Sequence, residues 1–134
     1  MVEVIAFPDP VALAISFLTA YLPADVWVSQ DAPAKRPVEL VTVTDTGGAG
    51  IYDHVFDETR LTVDVWAADS IRASELARTI HSLLWAWPGI GRGIYRRRGW
   101  SRPAYLPDSE TRIPRYALTV TLSFRGEAVE VSPV

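Results

Sequence analysis

The 134-residue sequence has no cysteine, one methionine and two histidines. Without thiols there is no disulfide framework, no thiolate nucleophile and no cysteine-based metal site, and the composition suits a reducing compartment. The histidines do not fill that gap. His54 and Asp57, read on a strand, fall on opposite faces, and His81, between Ile80 and Ser82, reads as the flank of a helix. No glycine-nucleophile turn is present, so no enzyme, catalytic residue, metal site or cofactor is expected. Three glycines fall within residues 47–50. A phosphate-binding loop would continue through Gly-Lys-Ser/Thr into a helix, whereas Ile51-Tyr52-Asp53 leads towards a strand. Long apolar runs are also missing. The longest, residues 11–18, is interrupted by Ser16 and falls well short of the ~20 residues that span a bilayer. Met1-Val2-Glu3-Val4-Ile5 lacks the basic region of a signal peptide. A soluble protein with no membrane contact is therefore expected.

What is present is a globular pattern. Hydrophobic residues make up 49% of the chain, and a chain of this size buries roughly two thirds of its unfolded surface, enough for one core. Residues 59–67 alternate, with Leu61, Val63, Val65 and Ala67 on one face and Arg60, Thr62 and Asp64 on the other, as in a half-buried strand. The period then changes. Ile71, Leu76, Ala77, Ile80, Leu83 and Leu84 form the inward stripe of a helix that Asp69 or Ser70 caps and Pro88-Gly89 ends. Asp9-Pro10 opens an earlier helix with Val11, Ala14, Ile15, Leu18, Tyr21 and Leu22 inward, stopped by Pro23. Val26-Trp27-Val28 reads as a short strand, residues 38–44 as a β-rich run, and Asp53 to Phe56 as the start of the long strand. Residues 116–125 alternate most cleanly, with Tyr116, Leu118, Val120, Leu122 and Phe124 inward. The expected fold is α+β: a mostly antiparallel sheet of four or five strands with two helices on one face. The expected domain spans residues 1–126, followed by a flexible tail at 127–134.

Charge is unevenly placed. Residues 92–115 hold seven arginines (92, 96, 97, 98, 102, 112 and 115) against Asp108 and Glu110, a net +5, which leaves six basic and fourteen acidic residues elsewhere, a net −8. The run Tyr95-Arg96-Arg97-Arg98-Gly99-Trp100 mixes arginine with aromatics, a composition that also grips nucleic acid. On a strand, however, Arg96 and Arg98 share one face and Arg97 takes the other, which argues against a dedicated sequence reader. A subunit interface or lumen, or a charged edge strand, are the other readings. Gly47, Gly48 and Gly50 read as a flexible loop that orders on contact with a neighbour.

The element order, with particular residues, resembles the tail terminator and tail-completion or neck proteins of long-tailed phages. The resemblance rests on the helix opening at Asp9-Pro10-Val11, on Asp57-Glu58-Thr59-Arg60-Leu61-Thr62-Val63-Asp64-Val65-Trp66-Ala67, and on Ala73-Ser74-Glu75-Leu76-Ala77-Arg78. The loop Pro107-Asp108-Ser109-Glu110-Thr111-Arg112 and the ending Leu122-Ser123-Phe124-Arg125-Gly126 complete it. The resemblance implies a structural virion protein, made in the host cytoplasm, that forms a hexameric ring. The ring would cap the tail tube and offer the head its docking surface. Implied partners are further copies of the chain, the major tail tube protein, head–tail connector or neck proteins, and DNA passing through the lumen without sequence specificity. A different head–tail connector component, or a nucleic-acid-binding module using the arginine segment, are the alternatives. A cyclic ring needs two unlike complementary patches. The expected pair is Arg96, Arg97, Arg98 and Arg102 against acids of a neighbour such as Asp53, Asp57 and Glu58.

Overall fold

The computed structural model describes residues 1–91 and 93–134; Arg92, counted above in the basic segment, lies outside the described residues. The strands are β1 (Val2–Ala6), β2 (Trp27–Ser29), β3 (Leu40–Asp45), β4 (Gly50–Tyr52), β5 (Phe56–Trp66), β6 (Ile94–Trp100), β7 (Ala104–Tyr105), β8 (Arg115–Arg125) and β9 (Glu127–Val131); the helices are α1 (Pro10–Tyr21) and α2 (Ser70–Ala86).

Both helices begin as their sequence predicts. The Asp9 carboxylate accepts hydrogen bonds from the backbone N–H groups of Val11 and Ala12, at 3.0 and 3.2 Å, and Asp69 accepts one from Arg72 at 2.8 Å. Each satisfies donors that a helix start leaves unpaired. A short 3-10 turn, Trp87–Gly89, follows α2.

The fold is α+β, but the sheet is larger and more mixed than expected. Its strand order is β2-β3-β5-β8-β6, with β4 also paired to β5 and β7 to β8, which makes seven strands. The physical reason is length. β5 and β8 are 11 residues each, longer than their outer neighbours, so each pairs with two short strands along one edge. β3 covers residues 61–66 of β5 and β4 covers 56–58; β6 covers 120–124 of β8 and β7 covers 116–117. The sheet is five strands wide and seven by count. It is mixed because β2 runs parallel to β3 while the other pairings are antiparallel.

A hydrophobic core joins the two helices to one face of this sheet. Val11, Ala14, Phe17 and Leu18 of α1 and Leu76, Ala77, Ile80 and Leu84 of α2 cluster with Val41, Val43, Leu61, Val63, Val65, Leu118, Val120, Leu122 and Phe124. Leu18, Leu61, Val63, Ile80 and Leu122 are all 0% exposed. Trp87 lies between Phe17 and Phe124, with ring centroids 5.1 and 5.8 Å apart. Covering each such side chain contributes about 1.5–3 kcal/mol. The opposite face of the sheet carries Glu58, Arg60, Thr62, Asp64, Thr119 and Thr121, following the period-two alternation.

Three further features depart from the sequence reading. Asp53 and His54 do not start the long strand. They form the turn between β4 and β5, with φ of 48° and 64°, and β5 begins at Phe56. The glycine segment is anchored to β5: Arg60 donates from Nη2 to the Thr46 carbonyl at 2.8 Å, and Arg60 N donates to the Gly47 carbonyl at 2.8 Å. At Gly48, with φ of 116°, a Cβ would lie 2.4 Å from the Glu58 carbonyl oxygen, so only glycine allows that approach. Finally, the segment after Gly126, read as a flexible tail, contains β9, which pairs with β1 as a separate two-stranded antiparallel ribbon.

Among the described residues, no helix is long and apolar enough to cross a membrane.

Candidate subunit interface

β6 is the edge strand on which the expected site residues converge. Its pairing with β8 slips twice, between Ile94 and Arg96 and again between Arg97 and Gly99. Each slip is a bulge in which two residues of β6 oppose one of β8. Two adjacent side chains therefore share a face at each bulge. Ile94, Arg97 and Trp100 oppose Phe124, Leu122 and Val120, residues of the helix-covered face, whereas Arg96 and Gly99 oppose Ser123 and Thr121 of the open face. Arg98, the extra residue of the second bulge, turns to the open face and meets Glu58 there. Thus Arg96 and Arg98 do share a face and Arg97 takes the other, through bulges that plain alternation does not show.

Each guanidinium sits against an aromatic ring. Arg98 lies 5.4 Å from the Tyr52 ring centroid, Arg97 lies 4.4 Å from that of Trp85, and Arg96 lies 5.8 Å from that of Tyr95. Such contacts hold a planar cation in place, and Arg97 Nε also donates to the Trp85 carbonyl oxygen. Tyr52, Phe56 and Tyr95 continue this packing, with centroids 5.4 and 4.2 Å apart, and the Tyr52 hydroxyl donates to Ser123 Oγ at 2.6 Å. The two indoles at the end of α2 lie in different settings. Trp87 is buried in the core, and Trp85 is 51% exposed, edge-on to Trp100.

The acids expected across the interface lie in different settings. Glu58 is paired within its own chain: Arg98 Nε donates to its Oε1 at 2.6 Å. That hydrogen bond raises the Arg98 pKa above its ordinary value. Asp57 is half-buried and accepts a hydrogen bond from the Thr59 hydroxyl at 3.3 Å. Asp53 is exposed in the β4–β5 turn, and Arg102 is exposed just past the end of β6. The structure therefore brings Arg96, Arg98 and Glu58 together on the open face of the β6 edge, with Arg97 on the helix side against Trp85. Among the described residues, Arg96, Arg97 and Arg102 make no ion pair. Gly47 and Gly48 lie in the connection between β3 and β4, and Gly50 begins β4, all held against β5.

The sequence reading missed the Tyr52–Arg98–Glu58 cluster. Arg98 is 40 residues from Glu58, and no local spacing signals their pairing within one chain. It also missed the Glu39–Arg72 pair, in which both nitrogens Nε and Nη2 of Arg72 reach the carboxylate. That hydrogen bonding lowers the Glu39 pKa below its ordinary value. Asp64 shifts the other way: burial raises its pKa, with Arg115 at 3.8 Å opposing. Among the described residues, no three His, Cys, Asp or Glu side chains gather in a way that would hold a metal ion.

In comparison with known proteins, no family model matches the chain and no curated protein matches it.

Proposed function

We propose that this chain is a ring-forming structural protein of a long-tailed phage virion, a tail terminator that caps the tail tube and presents the surface on which the head docks. The observation that carries this reading is the placement of the arginines. Arg96 and Arg97 stand on the open edge strand of a sheet with no carboxylate partner of their own among the described residues, in a chain whose remainder is strongly acidic. A surface of one sign at one edge and acids elsewhere is the asymmetry that a head-to-tail ring requires, since each copy presents two unlike patches. Arginine serves such a surface well because its planar fork makes several hydrogen bonds to a carboxylate at modest desolvation cost. The resemblance in element order supplies the biological setting: further copies of the chain, the tube protein, connector or neck proteins, and DNA in the lumen. The same surface on a neighbouring neck component is the variant of this reading nearest to it.

The test is the mass of the assembled species. Native mass spectrometry and sedimentation velocity of the full chain, with and without tail tube protein, are expected to give a closed oligomer, six copies by the resemblance. A monomer under both conditions overturns the reading.

A second reading has its own observation. The arginine–aromatic pairs of β6 offer both charge and stacking surfaces, the combination that binds single strands. DNA binding with an affinity that falls steeply with salt, at a log–log slope of about −0.9 per phosphate contact on duplex DNA, would support it. Absence of binding at low salt removes it.

A further inference from the structure

The β1–β9 ribbon is the least self-sufficient part of the molecule. The packing of β1 and β9 is almost wholly with each other. An isolated two-stranded ribbon is marginal in water, and this one meets the body chiefly where Ile5 lies against Gly126 and where Ala6 and Val129 share a groove with Leu13, leaving most of both faces open. Its register sorts the side chains. Val2 opposes Val131, Val4 opposes Val129 and Ala6 opposes Glu127, which places four valines, with Glu127 at one end, on one face; Glu3 opposes Glu130 and Ile5 opposes Ala128 on the other. The valines are 60, 46, 40 and 38% exposed for Val2, Val131, Val4 and Val129. Glu3 and Glu130 set like charges directly across from one another, an unfavourable cross-strand pair unless a cation lies beside them. The strands hold Glu3, Glu127 and Glu130 and no basic residue.

The main sheet has two open edges, and they differ in charge. β2 is three residues long and lies between Asp25 and Asp31, which would repel an acidic strand. β6 is seven residues long and carries Arg96, Arg97 and Arg98. Its two faces also match those of the ribbon. On the helix side, Trp85 and Trp100 form an apolar ledge beside Arg97, and on the open side stand Arg96 and Arg98. A ribbon added edgewise to β6 sets its valines and Glu127 on the side of the indoles and Arg97, and Glu3 and Glu130 on the side of Arg96 and Arg98. Bulges and arginines on an edge strand deter indiscriminate pairing. An acidic ribbon is the strand that such an edge selects, because specificity comes from penalising the others.

We propose that the β1–β9 ribbon docks on a second copy of this chain, extending that copy's sheet at its β6 edge with the valine face towards Trp85 and Trp100 and Glu3 and Glu130 towards Arg96 and Arg98. This deepens the assembly reading and rests on it. It adds which segments meet. One copy's ribbon on the next copy's edge strand is a head-to-tail contact, and repetition closes a ring when the rotation per copy allows.

The cysteine-free background makes the contact directly testable. Full-length Glu130→Cys and Arg96→Cys proteins are purified separately, mixed and oxidised. The expected product is a covalent dimer that requires both variants. In parallel, the exposed double reversal Glu3→Arg/Glu130→Arg and the single reversal Arg96→Glu are each expected to weaken self-association by about tenfold or more, and mixing the two to restore it. Circular dichroism and thermal melting check that the variants stay folded. Self-association that survives both reversals, without the cross-link, overturns the ribbon contact and leaves the ring reading standing. A wild-type chain that stays monomeric at high concentration and with tube protein overturns both.

Discussion

In the seven-stranded sheet, Leu61, Val63, Val65, Val120 and Leu122 lie at 0% exposure beneath two helices; in the two-stranded ribbon, the four outward valines of one face lie between 38 and 60% exposed. The residue types are much alike, and the difference is what covers them. The body completes its own core: α1, α2 and Trp87 cluster over Leu61, Val63 and Val65 of β5 and Leu118, Val120, Leu122 and Phe124 of β8. The ribbon instead presents apolar area worth on the order of 1 kcal/mol per valine once covered. The proposed ribbon contact would cover that area with a neighbouring copy.

The largest effect that would sharpen this contrast lies in the body. Leu122→Ala is expected to lose about 2–5 kcal/mol of unfolding free energy by deleting packed methyl groups and leaving a cavity. Urea titration measures it, and Val129→Ala in the ribbon serves as its counterpart, expected to cost about 0.5 kcal/mol or less in the monomer. Equal losses at the two sites would erase the distinction.

The junction comes next. A Cβ at Gly126 would lie 2.5 Å from Ile5 Cγ2 and 2.9 Å from Phe7 Cδ1, where the ribbon leaves the body. Gly126→Ala is expected to cost about 1–3 kcal/mol by overpacking. Proteolysis should then cut residues around the ribbon sooner while the body stays resistant. A uniformly destabilised protein would show that the two regions unfold as one.

Loss of the α2 cap is smaller. Asp69→Ala removes the acceptor for Arg72 N and is expected to cost about 1 kcal/mol, read by thermal unfolding.

The smallest effects are pH slopes, and they have opposite signs. The Glu39 pKa is held low by hydrogen bonding to Arg72, so its contribution is present above the ordinary glutamate range and is lost as pH falls through the lowered value. Glu39→Gln is expected to flatten the acid limb of stability against pH. The Asp64 pKa is raised by burial, so its ionised form is a cost at neutral pH that fades as pH falls through the raised value. Asp64→Asn is expected to gain a little stability at neutral pH and nothing in acid. Melting temperatures between about pH 2 and pH 7 cover both ranges.

What the sequence makes legible follows the range of each interaction. Asp9 and Asp69 announce their caps because a cap is local. The alternation from Tyr116 to Phe124 reads correctly because one face of β8 is buried along most of its length. The turn at Asp53 and His54 hides because Asp and His enter the left-handed region more often than most residues but are also common elsewhere, so the pair does not stand out beside a run that reads as strand. The parallel pairing of β2, the short strands β4 and β7, and the union of β1 with β9 are non-local, and a five-residue run pairing 125 positions away leaves no local trace, as with Val2 and Val131 separated by more than that. At the site, the faces of Arg96, Arg97 and Arg98 are legible from strand periodicity. The bulges that preserve them, and the capture of Glu58 by Arg98 within the chain, depend on β5 and β8 and are not.

Hydrogen exchange of the full-length protein, compared between dilute and concentrated solutions, bears most directly on the contrast between ribbon and body. The expected result is slow exchange in β5 and β8 at every concentration, with Val2–Ala6, Glu127–Val131 and the outer edge of Ile94–Trp100 gaining protection together as copies associate. Protection that does not change with concentration, or that rises elsewhere while the ribbon stays open, would contradict it.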